Sequence, residues 1–167
     1  IIVCGPTAVG KTAVAIALAQ HFKCSIISAD SRQCYKELNI GVARPSVEEL
    51  KQVPHYFIAS HSVKEELTAA AFEQYALEKI KQLHREHDQL LMAGGTGLYI
   101  RAFCEGLDEI PDIDPEIRKG IIEKYGANGI NWLQQQLKIK DPAFYQSGEI
   151  QNPQRMMRAL EVMESTG

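Results

Sequence analysis

Near the start of the chain, GPTAVGKT (5–12) places a glycine, four intervening residues and then Gly-Lys-Thr. These types at this spacing suit an anion. The loop built from Gly5, Pro6, Thr7, Ala8, Val9 and Gly10 can turn backbone N–H groups towards a phosphate, Lys11 can neutralise it, and the Thr12 hydroxyl can reach a Mg²⁺ ion bridging its oxygens. Most loops of this P-loop spelling hold ATP or GTP, yet the loop itself reads only phosphate. Downstream, Asp30, Ser31, Arg32 and Gln33 are consecutive. A carboxylate beside a phosphate loop can hold Mg²⁺ through water or take a proton from an incoming nucleophile. Asp and Ser also favour caps and turns, and a place at the ligand edge of the sheet weighs towards function. A second glycine loop, Gly94, Gly95, Thr96 and Gly97, offers further N–H groups and a hydroxyl to the same anion, or makes a tight turn into a helix.

A nucleotide hydrolase places a metal-holding aspartate at the end of a hydrophobic strand. Here the strand-like QLLMAGG ends in glycine, and Asp88 lies just before it, so hydrolysis of ATP has little support. His84 and His87 make a His-x-x-His on a helix with no third ligand spaced to join them. They are read as basic residues complementing a helix C-terminus. Tyr125 and Trp132 could stack on bases, but a small helical unit needs such residues for its own core. Arg155 and Arg158, three apart, share one helical face and could clamp phosphates or pair with Glu161 and Glu164; Arg118 and Lys119 lie upstream.

The elements that must position these residues follow from hydrophobic periodicity. IIVC, CSIISAD, PHYFIAS and QLLMAGG read as short buried strands. TAVAIALAQHF reads as the helix after the phosphate loop, and LTAAAFEQYALEKIKQLHREH as a long amphipathic helix with Ala69, Phe72, Ala76, Ile80 and Leu83 on one face. SVEELKQ has the Ser-x-x-Glu capping-box pattern of a short helix. Strands alternating with helices predict an α/β fold, a P-loop-type parallel sheet flanked by helices, with ligands beyond the carboxyl ends of the strands. Beyond Gly106 the chain becomes acidic and proline-punctuated. Two helical stretches (IRKGIIEKYG and INWLQQQLK), a connector DPAFYQSGEI and a last helix near NPQRMMRALEVMEST follow. The expected organisation is a core of 1–107 and 149–167 with a small all-helical insertion over 108–148.

With 167 residues, 45% of them apolar, about one domain is expected. No stretch is long and apolar enough to span a bilayer, and the opening IIVC is too short for a signal peptide, so the expected location is cytoplasmic. Cys4, Cys24, Cys34 and Cys104 form no Cys-x-x-Cys pair and are expected to be free thiols. The net charge of −3 gives no general basic field, so any nucleic-acid contact must come from a local patch. Both ends of the chain look cut: there is no initiator methionine, and the last helix stops at a glycine.

Taken in order, GPTAVGKT, ADSRQCYKELNIGVARP, AGGTGLYIRAFCEGL and NPQRMMRALEVMESTG resemble the four successive signatures of the tRNA dimethylallyltransferases, or tRNA isopentenyltransferases. The first is common to many families. DSRQ-x-Y, GGTGLY and QRMMRALEV together are specific, and the resemblance covers nearly the whole chain. It implies a P-loop NTPase-like fold, and transfer of the dimethylallyl group of dimethylallyl diphosphate to N6 of the adenosine at tRNA position 37, in tRNAs reading codons that begin with U. It implies that the P-loop holds the donor's diphosphate with Mg²⁺ as cofactor, that no nucleotide is hydrolysed, and that Asp30 is the general base, with Lys11 and Thr12 stabilising the departing diphosphate. It further implies that Asp30, Ser31, Arg32, Gln33, Thr96, Arg118, Gln154, Arg155, Met156, Met157 and Arg158 contact the anticodon stem-loop of the tRNA, and that the acceptor base leaves its stack. A monomer is expected.

The sequence departs from the family pattern in NIGVARP, where Asn39, Val42 and Arg44 replace Asp, Thr and Lys, and in the region HYFIASHSVKEELTAAAF. The family also continues past ESTG with segments that bring a further arginine to the diphosphate. Three other readings share some of these features. A small-molecule P-loop kinase needs an arginine-rich lid, whereas DEIPDIDPEIR is acidic; a prenyltransferase acting on free adenine nucleotides does not need the helical insertion; a nucleotide-responsive binding module binds GTP or ATP without turnover.

Overall fold

The computed structural model describes residues 1–107 and 113–166, and the chain divides into two compact units, Ile1–Leu107 and Asp108–Gly167. In the first unit four parallel strands, β1 (Ile2–Cys4), β2 (Ile26–Ala29), β3 (His55–Tyr56) and β4 (Leu91–Gly94), form one sheet in the order β1-β4-β2-β3. They alternate with helices α1 (Lys11–Phe22), α2 (Val47–Leu50), α3 (Ala69–Leu83) and α4 (Gly97–Glu105). Register carries the functional consequence. Cys4 and Ala29 both pair with Gly94, so three strands end at one level and their following loops leave the sheet side by side.

A parallel strand covered on both faces has no polar side to spare, and all four residues of β2 are buried. One face packs on α1 through Ala15, Ile16 and Ala19 together with Ile27 and Leu91. The other packs on α3 and α4 through Phe72, Ala76 and Tyr99, with Phe57 and Met92. Phe72 and Tyr99 stack at 4.4 Å between ring centroids, an arrangement worth about 0.5–1.5 kcal/mol beyond the area it buries. Of the face expected for the long helix, Phe72, Ala76 and Leu83 are buried. The capping box is present in both directions: Glu49 N donates to Ser46 Oγ and Ser46 N donates to the Glu49 carboxylate.

The third strand is shorter than PHYFIAS suggests. It ends at Tyr56 because Phe57 (φ 62°) leaves extended geometry to bury its ring.

The second unit is all helical: α5 (Pro115–Lys140), interrupted at Gly129 (φ 70°, ψ −170°), α6 (Pro142–Ser147) and α7 (Pro153–Thr166). The break at Gly129 falls between the two expected helical stretches. The expected connector contains α6, which Asp141 caps by accepting from Phe144 N, with Pro142 in the first helical position. Residues 149–166, expected with the α/β core, fall within the second compact unit. Helix α7 buries Met156, Met157 and Leu160 against Ile121, Leu133 and Leu137 of α5, so its apolar face completes the helical unit. The start of the acidic segment, 108–112, and Gly167 lie outside the described residues.

Candidate active site

The loop between β1 and α1 has the backbone its sequence calls for. Gly10, at φ 93°, is the residue from which α1 departs, and Ala8 also takes a positive φ of 65°. Lys11 folds back over the loop, its Nζ donating to Pro6 O at 2.6 Å. A carbonyl contact of this kind holds the ammonium where a phosphate oxygen can replace the acceptor.

Asp30 follows β2 directly. Its Oδ1 accepts from Arg32 N (2.9 Å) and Gln33 N (3.2 Å), so the turn role foreseen for this carboxylate is present, and it uses one of the two oxygens. Gln33 is fixed at both ends of its amide: Nε2 donates to Ala43 O at 2.7 Å and Oε1 accepts from the buried Ser28 hydroxyl at 3.1 Å. Thr96 ties this loop to the second glycine loop. Its N–H donates to Ala29 O (3.1 Å), and its Oγ1 accepts from Ser31 N (2.9 Å). The glycine loop in turn lies against the phosphate loop: a Cβ on Gly95 would stand 3.3 Å from Gly5 O and 3.9 Å from Lys11 Nζ.

Gly94 explains why no acid ends β4. A Cβ there would stand 2.1 Å from Ala29 O, well inside any tolerated contact, so the close approach of β2 and β4 excludes every side chain. Between α1 and β2 lies a small open cleft of about 30 Å³, with Lys11 and Thr12 contributing to its lining and Ala15, Ile26, Pro45 and Ile58 supplying apolar wall. Its polar residues include Ser28, Gln33 and His55. Burial pushes the His55 imidazole below its ordinary value, opposed by its Nδ1 contact with Val53 O, so the ring is neutral at pH 7. Burial, with smaller effects of the same sign from the neighbouring Cys34, Tyr35 and Asp30, pushes the Tyr99 hydroxyl up to about 12. Tyr99 is therefore protonated at neutral pH.

Ser28, Pro45, His55 and Ile58 were not foreseen as site residues. They come from separate elements and carry no motif; only the fold gathers them. The departures in NIGVARP also acquire a place. The Arg44 guanidinium donates to Tyr35 O, to Leu38 O (2.9 Å) and to Asn39 Oδ1 (3.1 Å), so two substituted positions meet and close the loop before Pro45.

In the helical unit the foreseen RNA-contacting residues divide. Gln154, Arg155, Arg158 and Arg118 are exposed. Arg155 pairs with Glu149, while Arg158 (3.2 Å) and Arg118 (3.7 Å) share the buried Glu161 carboxylate; Glu164 pairs instead with Lys140. Met156 and Met157 are 0% and 6% exposed, and their side chains belong to the core of the unit. Tyr125 and Trp132 also pack against that core. His84 and His87 have no third partner, and among the described residues no three His, Cys, Asp or Glu side chains converge as a protein-only metal cage requires. Mg²⁺ does not require one, since it commonly keeps waters and shares substrate phosphates; the Thr12 hydroxyl at the cleft suits that use. No helix among the described residues is long and apolar enough to cross a membrane. All four cysteines are free thiols.

Comparison with known proteins agrees with this geometry. Residues 33–167 match the family model described as IPP transferase. The tRNA dimethylallyltransferase of Flavobacterium johnsoniae is 49% identical over 97% of this chain and 54% of its own length. The tRNA dimethylallyltransferase 2 of Azobacteroides pseudotrichonymphae is also 49% identical, over 100% of this chain and 54% of its own length. Among solved structures, the full-length tRNA isopentenylpyrophosphate transferase from Bacillus halodurans matches 99% of this chain and 55% of its own, with a TM-score of 0.61 and 32% identity. A eukaryotic dimethylallyltransferase acting on tRNA shares the fold at a TM-score of 0.77 and 23% identity, over 96% of this chain and 40% of its own. The chain spans about half the length of the curated relatives it matches. With a phosphate loop, an Asp-Ser-Arg-Gln loop and a glycine loop gathered at one sheet edge, and a family match covering most of its residues, this chain belongs to the IPP transferase family.

Proposed function

We propose that the protein containing this chain transfers the dimethylallyl group from dimethylallyl diphosphate to N6 of adenosine 37 in tRNAs reading codons that begin with U. The observation that carries this reading is the junction at Thr96. A single residue binds the Asp30 loop to a glycine loop that lies against the phosphate loop at Gly5, so a base and a diphosphate grip stand at one sheet edge where a hydrolase would need an acid and Gly94 leaves no room for one.

In this reaction the adenine N6 attacks the allylic carbon; the N6–C bond forms as the C–O bond to diphosphate breaks. Diphosphate departs with the electron pair, and the N6 proton passes to Asp30, through the oxygen that the turn does not use. The turn bonds at Oδ1 hold the carboxylate in one orientation. Lys11 and the loop amides stabilise charge that grows on the leaving group, which is where preorganised donors act most strongly. Thr12, with Asp30 through water, would hold a Mg²⁺ ion that neutralises diphosphate charge when bound. Ser31, Arg32, Gln33 and Thr96 stand where an extruded base and its neighbours would lie, and Arg118, Gln154, Arg155 and Arg158 supply local cationic or polar contacts to an anticodon stem-loop despite the net negative charge. We place this activity in the cytoplasm and in a monomer.

The test uses the full-length protein with Mg²⁺, dimethylallyl diphosphate and an anticodon stem-loop bearing the A36-A37-A38 context. Mass spectrometry of the digested RNA should find N6-(dimethylallyl)adenosine at position 37. Modification of free AMP with none of the stem-loop would assign the site to a nucleotide prenyltransferase instead.

A further inference from the structure

Ile58 lines the cleft beside Lys11 and Thr12, and the backbone on either side of it is unusual. Phe57 (φ 62°) and Ala59 (φ 46°) both lie in the left-handed region, and neither is glycine. Such conformations persist only where the surroundings determine them, and they concentrate at ligand sites. Here two sets of contacts impose them. The Phe57 ring, 1% exposed, is packed by Tyr75 at 4.9 Å and Phe72 at 5.0 Å between ring centroids. On the far side, Ala59 N donates to Gln33 O and Ser60 N to Cys34 O, both at 2.9 Å. The turn is thus anchored at one end in the aromatic core and at the other to the Asp30–Gln33 loop itself. Between these anchors the side chain delivered to the cleft is a β-branched aliphatic one, stiff about χ1.

The rest of the apolar wall fits the same purpose. Ala15, Ala93 and Pro45 are compact, and Ile26 belongs to the fully buried β2. Of these wall residues, Ile58 alone stands on a turn held in a strained conformation.

We infer that Ile58 is a specificity-determining residue, the fixed wall that limits the size of the alkyl group attached to the diphosphate. This rests on the reading of the cleft as a prenyl-donor site. A longer prenyl chain would have to displace a side chain whose backbone is anchored at both ends, and a wall of that kind discriminates by size where a flexible side chain would yield.

The experiment compares dimethylallyl diphosphate with geranyl diphosphate, one isoprene unit longer, as donors for the full-length protein and its Ile58→Ala and Ile58→Val variants, using the same stem-loop. The readout is the ratio of kcat/KM for the ten-carbon donor to that for the five-carbon donor, with melting temperature measured in parallel. Ile58→Ala should raise the ratio by about tenfold or more, the range in which apolar pockets discriminate by size. Ile58→Val should raise it less, and it remains informative should the alanine variant fail to fold. An unchanged ratio in a folded variant overturns the inference, as does an equal loss with both donors at an unchanged melting temperature, which would make Ile58 a support of the reaction and not a selector of donor length. Absence of transfer by the unmodified protein with the five-carbon donor would instead reject the proposed function itself, so the two failures are distinguishable.

Discussion

The α/β unit and the helical unit use charge in opposite ways. In the first, the residues that could do chemistry are held by the backbone. Lys11 rests on a loop carbonyl, Asp30 takes two N–H groups of its own turn, and Thr96 links neighbouring loops through one N–H and one hydroxyl. In the second, the arginines are held by acids: Arg155 by Glu149, and Arg118 and Arg158 by Glu161, which is 4% exposed. Backbone contacts fix geometry while leaving full charge to face a ligand. Carboxylate contacts fix geometry and neutralise charge, so a polyanion must compete with the acid for each guanidinium.

This contrast can be broken at several points. Asp30→Ala should lower the rate of transfer by about 10²–10⁴, as loss of a general base does, or about 3–5 kcal/mol of barrier. Donor affinity, measured by calorimetry on the same preparation, should stay near its original value; unchanged turnover would remove Asp30 from the chemistry. Gly94→Ala should be the largest structural lesion in the α/β unit. The added methyl meets the Ala29 backbone, its O at 2.1 Å and its C at 2.4 Å, and denaturant unfolding should show a loss of about 3 kcal/mol or more. A near-neutral result would mean that the approach of β2 to β4 is not what excludes a side chain there.

Smaller effects separate the two arginine arrangements. Arg155→Ala removes an exposed cation whose partner Glu149 is also exposed, so RNA affinity should weaken by roughly threefold to tenfold with little change in melting temperature. Arg158→Ala should weaken RNA binding similarly and also cost stability, because the buried Glu161 then keeps only Arg118 at 3.7 Å. Equal melting temperatures for the two variants would erase the distinction between them. The smallest effect concerns pH. His55 is held below its ordinary value of 6.5 by burial, so as pH falls below about 6.5 the unfolded chain takes up a proton that the folded chain refuses. Stability therefore declines through that window, by no more than about 1.4 kcal/mol per pH unit for one group. His55→Gln should flatten this decline, and an identical pH profile would count against the assignment.

Much of the α/β unit was legible because its signals are local. The phosphate loop, the capping box of Ser46 and Glu49, and the periodic face of α3 are each written within a few residues. The chemistry-bearing loops were legible for the same reason. What escaped depends on partners distant in sequence. PHYFIAS reads as a strand, but burial of the Phe57 ring among Phe72, Tyr75 and Tyr99 turns the chain after two residues. Helix α7 reads in sequence as part of the core, but its apolar stripe shows only that it is covered; the covering face on α5 is not written in it. Met156 and Met157 sit inside a signature-like segment, which hides that the stripe they share with Leu160 buries their side chains. Helix α6 did leave a signal, the Asp141-Pro142 start, which a search for caps would have found.

The most direct measurement is a side-by-side assay of the full-length protein for diphosphate released from dimethylallyl diphosphate with an anticodon stem-loop, and for ADP released from ATP with the same RNA. Stoichiometric diphosphate release matched by prenylated RNA, with no RNA-dependent ADP, is the predicted result. ADP formation that depends on an acceptor, with no prenyl transfer, would contradict it and return GPTAVGKT to the nucleotide kinases.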